Sequence, residues 1–235
     1  MIFQDCVCIA QARVIEGKRK KAHICTIAYH EPTDSFLRLC LPFERGRETG
    51  VRRWHRFSFQ GSQHSNDTRI ESFEFGKLLS LHGKLSANDQ FVLHRKILSL
   101  YRYESELNND RKSIGLLVPE PGSLRFRQKP LSQREKEYKL LMKDKGLFFP
   151  DYKIYVTGRS AQFKNRFDKQ LVQWDLFEAI RKRIDPFPAL TNFKNPYFII
   201  GNTPWQRDSF MAISVLSAPS KVICHAHFQQ LSLVQ

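Results

Sequence analysis

The stretch SFLRLCLPF, residues 35–43, decides the fold expected for the first third of this chain. Its three leucines alternate with Arg38 and Cys40, and a period of two residues is typical of a strand that buries one face. The same architecture is indicated by its neighbours. Apolar, β-branched runs at 6–14 and 23–30 flank the turn EGKRKKA, so the chain begins as consecutive strands.

Alternation continues further along the chain and then gives way to helical periodicity. RIESFEF (69–75), SLRFRQK (123–129) and YKIYVTG (152–158) each alternate as strands do. Between the strands at 35–43 and 69–75 lie residues 44–68, rich in Arg, Gly, Ser and Asn. We expect a loop there, and a loop of that length usually carries function or is mobile.

Three helices are predicted between and after these strands. Ser86 followed by Asp89 is an N-terminal capping signal, and Leu93 and Ile97 begin an apolar stripe behind it. A charged helix is expected at 131–145, with Glu135 and Lys139 spaced as an i,i+4 pair. A third helix is expected at 169–184, before the closing strands YFIIGN and DSFMAISVLS.

The resulting order of elements favours a mainly β protein with inserted helices. Strand runs with few intervening helices fit two OB-like small β-barrels packed together better than they fit alternating βαβ units. The chain divides on this basis into a first barrel at 1–118, with the long basic loop and one helix, and a second at 119–235, with two helices.

Charge is the strongest functional signal in the composition. The 38 Lys and Arg outnumber the 23 Asp and Glu, which gives a formal net charge of +15 and favours a polyanionic partner. No apolar run approaches the roughly 18 residues of a membrane span, and no helix combines a basic face with a strongly apolar one. The first residues do not resemble a signal peptide. We therefore expect a cytoplasmic protein without a membrane partner.

Basic and aromatic residues are interleaved repeatedly: in VRRWHRFSFQ (51–60), LRFRQKP (124–130), GRSAQFKNRFDK (158–169) and NFKNPYF (192–198). Cationic side chains neutralise phosphates, and rings stack on unpaired bases. For Trp54, stacking on a base and anchoring its loop by packing both remain open. The candidate nucleic-acid-binding residues are Lys18, Arg19, Lys20, Lys21, Arg52, Arg53, Trp54, Arg56, Arg125, Arg127, Lys129, Arg159, Lys164 and Arg166.

Both ends of the chain resemble a known family. The opening DCVCIAQARV…GKRKKAHICTIAYHE…FLRLCLPF, the late helix LVQWDLFEAIRK and the close YFIIGNTPWQRDSFMAISVLSAPSK are similar to the bacterial dual OB-containing domain family. The resemblance covers about half of the chain and not its middle. It implies two OB-like barrels and a role in bacterial defence or nucleic-acid processing, and it brings no catalytic residues.

Signatures of enzymes are absent from the sequence. There is no GxxxxGK[ST], GxGxxG, GxSxG or HExxH, and the five cysteines contain no CxxC. Cys224, His225 and His227 have the chemistry of zinc ligands, yet no second ligand pair accompanies them, so we expect no metal and no other cofactor. Asp151 and Lys153 beside Glu135 and Glu137 could serve a metal-dependent nuclease, but a solvated helix face explains the two glutamates better.

These observations predict a non-catalytic protein that grips single-stranded RNA or DNA through a basic, aromatic-bearing surface. The resemblance implies that it works with other protein subunits in a larger bacterial assembly. Two alternatives stay open: a metal-dependent nuclease, and an adaptor whose basic face meets an acidic protein.

Overall fold

The computed structural model describes residues 1–15, 22–43, 49–65, 67–100, 104–161, 164–203 and 206–219. Strands account for 49% of the described residues and helices for few of them, so the protein is mostly β, as predicted. The strands are β1 Ile2–Ile15, β2 His23–His30, β3 Ser35–Pro42, β4 His55–Gln63, β5 Ser72–Lys84, β6 Ile114–Leu117, β7 Arg125–Pro130, β8 Tyr152–Arg159, β9 Arg166–Leu171, β10 Pro196–Thr203 and β11 Gln206–Ser217. The helices are α1 Ala87–Ser99, α2 Glu104–Asn109, α3 Gln133–Asp144, α4 Trp174–Arg181 and α5 Phe187–Thr191.

The first five strands close into a barrel in the order β1-β2-β3-β5-β4. Its neighbouring strands pair antiparallel except β3 and β5, which run parallel. The leucines of β3 point into the barrel, where Leu39 is 0% exposed beside Phe57 and Phe59. The alternation in SFLRLCLPF is thus confirmed as a strand with one buried face.

The prediction of a long loop at 44–68 is wrong, because much of the second half of this stretch is the barrel strand β4. Phe57 and Phe59 repeat at a period of two and are both fully buried in the barrel. Arg56, which precedes them, and Ser58, which lies between them, point the other way, as alternation requires. These two rings are therefore core residues and offer no face to a base.

The second half of the protein forms a six-stranded sheet in the order β6-β10-β11-β9-β8-β7. Strand β6 pairs with β10 in this sheet, although the division proposed from the sequence places residues 114–117 in the first unit. The helix expected at 169–184 is shorter at its start, since residues 166–171 form β9 and α4 begins at Trp174.

Two apolar layers determine which faces of this sheet are covered. One layer packs α1 and the outer wall of the barrel against β10 and β11, through residues such as Ile97, Tyr197 and Ile213. The other layer covers the opposite face of the sheet, where Val156 and Phe198 pack against side chains of α2, α4 and α5. Strands β10 and β11 are consequently buried on both faces, whereas β7, β8 and β9 bury one face each.

The barrel and the sheet are also joined by buried polar groups. Arg38, which alternation places opposite the barrel leucines, is only 5% exposed. Its guanidinium donates to the Ser113 hydroxyl and carbonyl, both at 3.0 Å, and that hydroxyl donates to Glu71 at 2.6 Å. Buried charges are tolerated when they are hydrogen-bonded in this way. Within the described ranges, no helix has the length and apolarity needed to cross a membrane.

Candidate nucleic-acid interface

The outer face of β7, β8 and β9 gathers basic residues from distant parts of the sequence. Antiparallel register places Arg125 opposite Thr157, Arg127 opposite Tyr155, and Lys129 opposite Lys153. On the other side of β8, Thr157 pairs with Asp168 and Arg159 with Arg166. Because cross-strand partners share one face of a sheet, these side chains form a single surface. We call it the basic face, made of Arg125, Arg127, Lys129, Lys153, Tyr155, Thr157, Arg159, Arg166, Asp168 and Gln170.

The polar residues of the basic face alternate with apolar residues, which point to the other side of β7, β8 and β9 and pack into the core. Ile154 and Val156 are 2% and 0% exposed, and Phe126 and Phe167 pack against the same inner core. The predicted alternation in SLRFRQK and YKIYVTG is confirmed on both strands. The residues between these apolar positions lie on the opposite side of the sheet from this core.

Tyr155 lies at the centre of the basic face, with cations around its ring. The Lys129 ammonium lies 3.9 Å from the ring centroid, the Arg127 guanidinium carbon 5.8 Å and the Lys153 ammonium 5.9 Å. Cations at such distances are attracted by the ring quadrupole. Three positive charges therefore lie close to one aromatic ring.

Negative charge on this face is scarce. Asp168 forms an ion pair with Arg127 and lies 3.6 Å from Lys129, and Lys153 pairs at 2.9 Å with Glu135 at the start of α3. In the described part of the chain, no carboxylate pairs with Arg159 or Arg166. These two arginines face each other directly across β8 and β9, and like charges in that arrangement are destabilising.

Of the other predicted residues, Lys164 lies in the hairpin between β8 and β9, where it pairs with Glu120 at 3.0 Å. Arg56 pairs with Glu31 at 2.7 Å, so its charge is compensated. Lys18, Arg19, Lys20 and Lys21 fall outside the described residues, as do Cys224, His225 and His227. Across the described residues, no group of three His, Cys, Asp or Glu could hold a metal ion.

Arg52, Arg53 and Trp54 line a cavity of about 470 Å³ between the barrel and the sheet. Arg53 donates to the Val215 carbonyl at 3.2 Å and forms an ion pair with Asp175. The half-buried Trp54 ring packs against the apolar layer between barrel and sheet and lies 4.9 Å from the His94 ring. Trp54 is thus a packing residue on one side, and it borders an open cavity as well.

Of the carboxylates weighed for a nuclease, Glu135 and Asp151 are paired with lysines, and Glu137 accepts from the Gln133 side chain at 3.4 Å. Glu135 accepts from Ser132 in a capping box and from Lys153, while Lys139 pairs with Asp151. Burial alone would raise the pKa of Glu135, but hydrogen bonds from Ser132 and Lys153 outweigh it and lower that pKa to about 2. The predicted Glu135–Lys139 pair is therefore replaced by two longer-range pairs.

The members of the basic face that the sequence did not mark as nucleic-acid-binding include its sixth cation, Lys153, and its aromatic residue, Tyr155. The signal was present, because alternation in YKIYVTG places both of them opposite the buried Ile154 and Val156. What the sequence lacked was the register that brings Tyr155 beside Arg127.

No family model, no curated protein and no solved structure matches this chain.

Proposed function

We propose that this protein binds single-stranded nucleic acid on the basic face and has no catalytic activity of its own. The observation that carries the proposal is the gathering of six cations on one face of the sheet (Arg125, Arg127, Lys129, Lys153, Arg159 and Arg166), three of which lie around the Tyr155 ring. Asp168 is the single carboxylate among the strand residues of that face.

The arrangement fits a polyanion for an energetic reason. Arg159 and Arg166 repel each other across the strands, and a fold gains nothing by keeping that repulsion. A phosphate placed between the two guanidinium groups would convert the repulsion into two charge-assisted hydrogen bonds. Counterions released from the nucleic acid would add further to the affinity.

The shape of the face favours an unpaired strand. Three strands of about six residues make a surface about 20 Å long and about 10 Å wide, on which Tyr155 is the only aromatic side chain among the face residues. The Lys129 ammonium, 3.9 Å from the centroid of that ring, must move aside for a base to stack there. A stacked base contributes about 1–3 kcal/mol, and only an unpaired base exposes its face for stacking.

The barrel supports a more detailed assignment of the fold. A closed five-stranded barrel in the order β1-β2-β3-β5-β4 is compatible with an OB-like barrel, a fold that commonly binds oligonucleotides. We extend the assignment to the six-stranded sheet as a second OB-like unit. On the resemblance of the chain ends, we also propose a place in a bacterial assembly with other subunits.

The test removes the two arginines that face each other across β8 and β9, neither of which has a carboxylate partner among the described residues. In Arg159→Ala/Arg166→Ala, we expect affinity for a labelled single-stranded oligonucleotide to fall for all base sequences alike, since phosphates carry no sequence information. The log–log salt dependence should become shallower by about 1.4, at about 0.7 per lost phosphate contact. Fluorescence polarisation at several salt concentrations measures both quantities.

The matched control is Lys77→Ala/Arg95→Ala, which removes two exposed cations from β5 and α1 and should leave affinity and slope unchanged. Equal losses in the two double variants would mean that net charge alone drives binding. Duplex that binds as tightly as single strands would contradict the preference for unpaired bases. No retention of any oligonucleotide at moderate salt would point to an acidic protein partner instead, and metal-dependent cleavage would point to a nuclease.

A further inference from the structure

A second site is formed by the cavity that holds Trp54, which we call the Trp54 cavity. It has a volume of about 470 Å³, within the range of about 300–1,000 Å³ typical of small-molecule sites. Its walls come from five parts of the fold: the chain entering β4, the end of β5, helix α1, the segment before β10, and the end of β11. A cavity built from such separate elements has a shape determined by the tertiary fold.

The apolar walls of the Trp54 cavity are aromatic. Trp54 and Phe193 both line it and are both half-buried, each packed on one side against a core layer. His94 lines the cavity from α1, and burial lowers the pKa of its imidazole to about 4. This imidazole is therefore neutral at pH 7, so it adds a ring and no charge to the wall of the cavity.

Cations stand at the exposed edge of the cavity. Arg52 and Lys84 are exposed lining residues, and in the described ranges neither has a carboxylate partner. Arg53 lies deeper, where its ion pair with Asp175 and its bond to the Val215 carbonyl hold it in place. The described lining residues include no Asp or Glu. Two uncompensated positive charges thus lie beside an aromatic pocket.

The backbone at Trp54 is held in an unusual conformation that sets the position of its ring. Its φ is +67°, in the left-handed region that bulky residues rarely occupy. The Trp54 amide donates to the Cys8 carbonyl at 2.7 Å, and the Trp54 carbonyl accepts from the Leu85 amide at 2.8 Å. Strained backbone that its surroundings over-determine in this way is concentrated at functional sites.

We infer that the Trp54 cavity binds one nucleotide, with its base against the rings of Trp54 and Phe193 and its phosphate against Arg52 and Lys84. Aromatic walls suit a planar base, and cations at the mouth suit the phosphate attached to it. The nucleotide is either free or the phosphorylated end of a strand, because both present the same base and phosphate. This inference does not depend on binding at the basic face.

The experiment uses the intact protein and its intrinsic tryptophan fluorescence, titrated with adenosine monophosphate, uridine monophosphate, adenosine and ribose 5-phosphate. We expect the monophosphates to bind at least tenfold more tightly than the nucleoside or the sugar phosphate, because only they use both parts of the site. Arg52→Ala/Lys84→Ala should weaken the monophosphates at least tenfold and leave the weak nucleoside binding unchanged. Trp54→Phe should bind and give a much smaller fluorescence change.

Controls separate this site from the basic face. Lys77→Ala/Arg95→Ala removes the same amount of charge elsewhere and should bind the monophosphates normally, as should Arg159→Ala/Arg166→Ala. Oligonucleotides with a 5′-phosphate or a 5′-hydroxyl distinguish the two sources: tighter binding of the phosphorylated strand, lost in Arg52→Ala/Lys84→Ala, assigns the cavity to strand ends. Monophosphate binding without that difference assigns it to free nucleotides. The inference is overturned if no monophosphate binds at millimolar concentration and the two oligonucleotides bind equally.

Discussion

His94 makes the stability of the protein depend on pH in a defined window. Its side chain is 4% exposed, its Nδ1 lies 2.8 Å from the Tyr197 hydroxyl, and burial lowers its pKa from 6.5 to about 4. In the unfolded chain the imidazole takes up a proton below pH 6.5, whereas in the folded protein it stays neutral down to about pH 4. The free energy of unfolding is therefore unaffected above pH 6.5 and falls as the pH drops from 6.5 towards 4.

The magnitude follows from the width of that window. At pH 5, about 1.5 units below the unfolded value, the loss is about 2 kcal/mol, at about 1.4 kcal/mol for each unit. His94→Gln removes the titrating group while its amide can still hydrogen-bond to Tyr197. Burial also lowers the pKa of His30, but His30 is present in both proteins and cancels in the comparison.

Urea unfolding followed by circular dichroism at pH 7.5 and pH 5 measures the difference. We expect the wild-type protein to lose about 2 kcal/mol more than His94→Gln between these pH values. A nuclear magnetic resonance titration of the folded wild-type protein provides a second readout, in which the His94 ring signals should not shift above about pH 5. Equal losses in the two proteins, or a His94 titration midpoint near 6.5, would refute the reasoning.

Two further predictions concern buried groups. A methyl group at Gly201 would lie 2.5 Å from Ile213 Cδ1 and 2.7 Å from Arg38 Nη2. Gly201→Ala should therefore destabilise the protein by about 1–3 kcal/mol through overpacking. Thermal unfolding measures this loss, and an unchanged melting temperature would show that the neighbouring side chains can move aside. Burial, helped by nearby carboxylates, raises the pKa of Cys6 to about 12, and burial likewise raises the pKa of Cys8 to about 12. Both thiols should therefore resist iodoacetamide at pH 8 in the folded protein and react in urea, as peptide mass spectrometry would show; alkylation without denaturant would contradict their burial.

The sequence predicted strands best where apolar and polar residues alternate without a break. SLRFRQK and YKIYVTG gave the correct inner and outer faces because their apolar residues occupy every second position. Strand β4 was missed because its two core phenylalanines follow directly on three arginines, which made the whole stretch resemble a loop. Helix α4 was placed too early because the apolar stripe that begins at Val172 was extended back over residues 169–171, which pair with β8.

The candidate site could be predicted only in part, because proximity in space depends on strand register. Arg125 and Arg127 were recognised as solvent-facing from local spacing alone. That Arg159 and Arg166 oppose each other, or that Tyr155 lies beneath Lys129, depends on how β7, β8 and β9 pair. Arg38 shows the same limit inside the protein, since its buried partner Ser113 is 75 residues away.

Among the described strands, β7 is an edge of the six-stranded sheet, since β8 is its one described partner. Edge strands can pair with a second molecule, and proteins discourage this with charged residues and proline. Arg125, Arg127, Lys129 and Pro130 give β7 those features, so two copies that approached edge to edge would bring their guanidinium and ammonium groups together. The positive charge of this strand therefore also opposes self-association, and replacing it with apolar residues would favour aggregation.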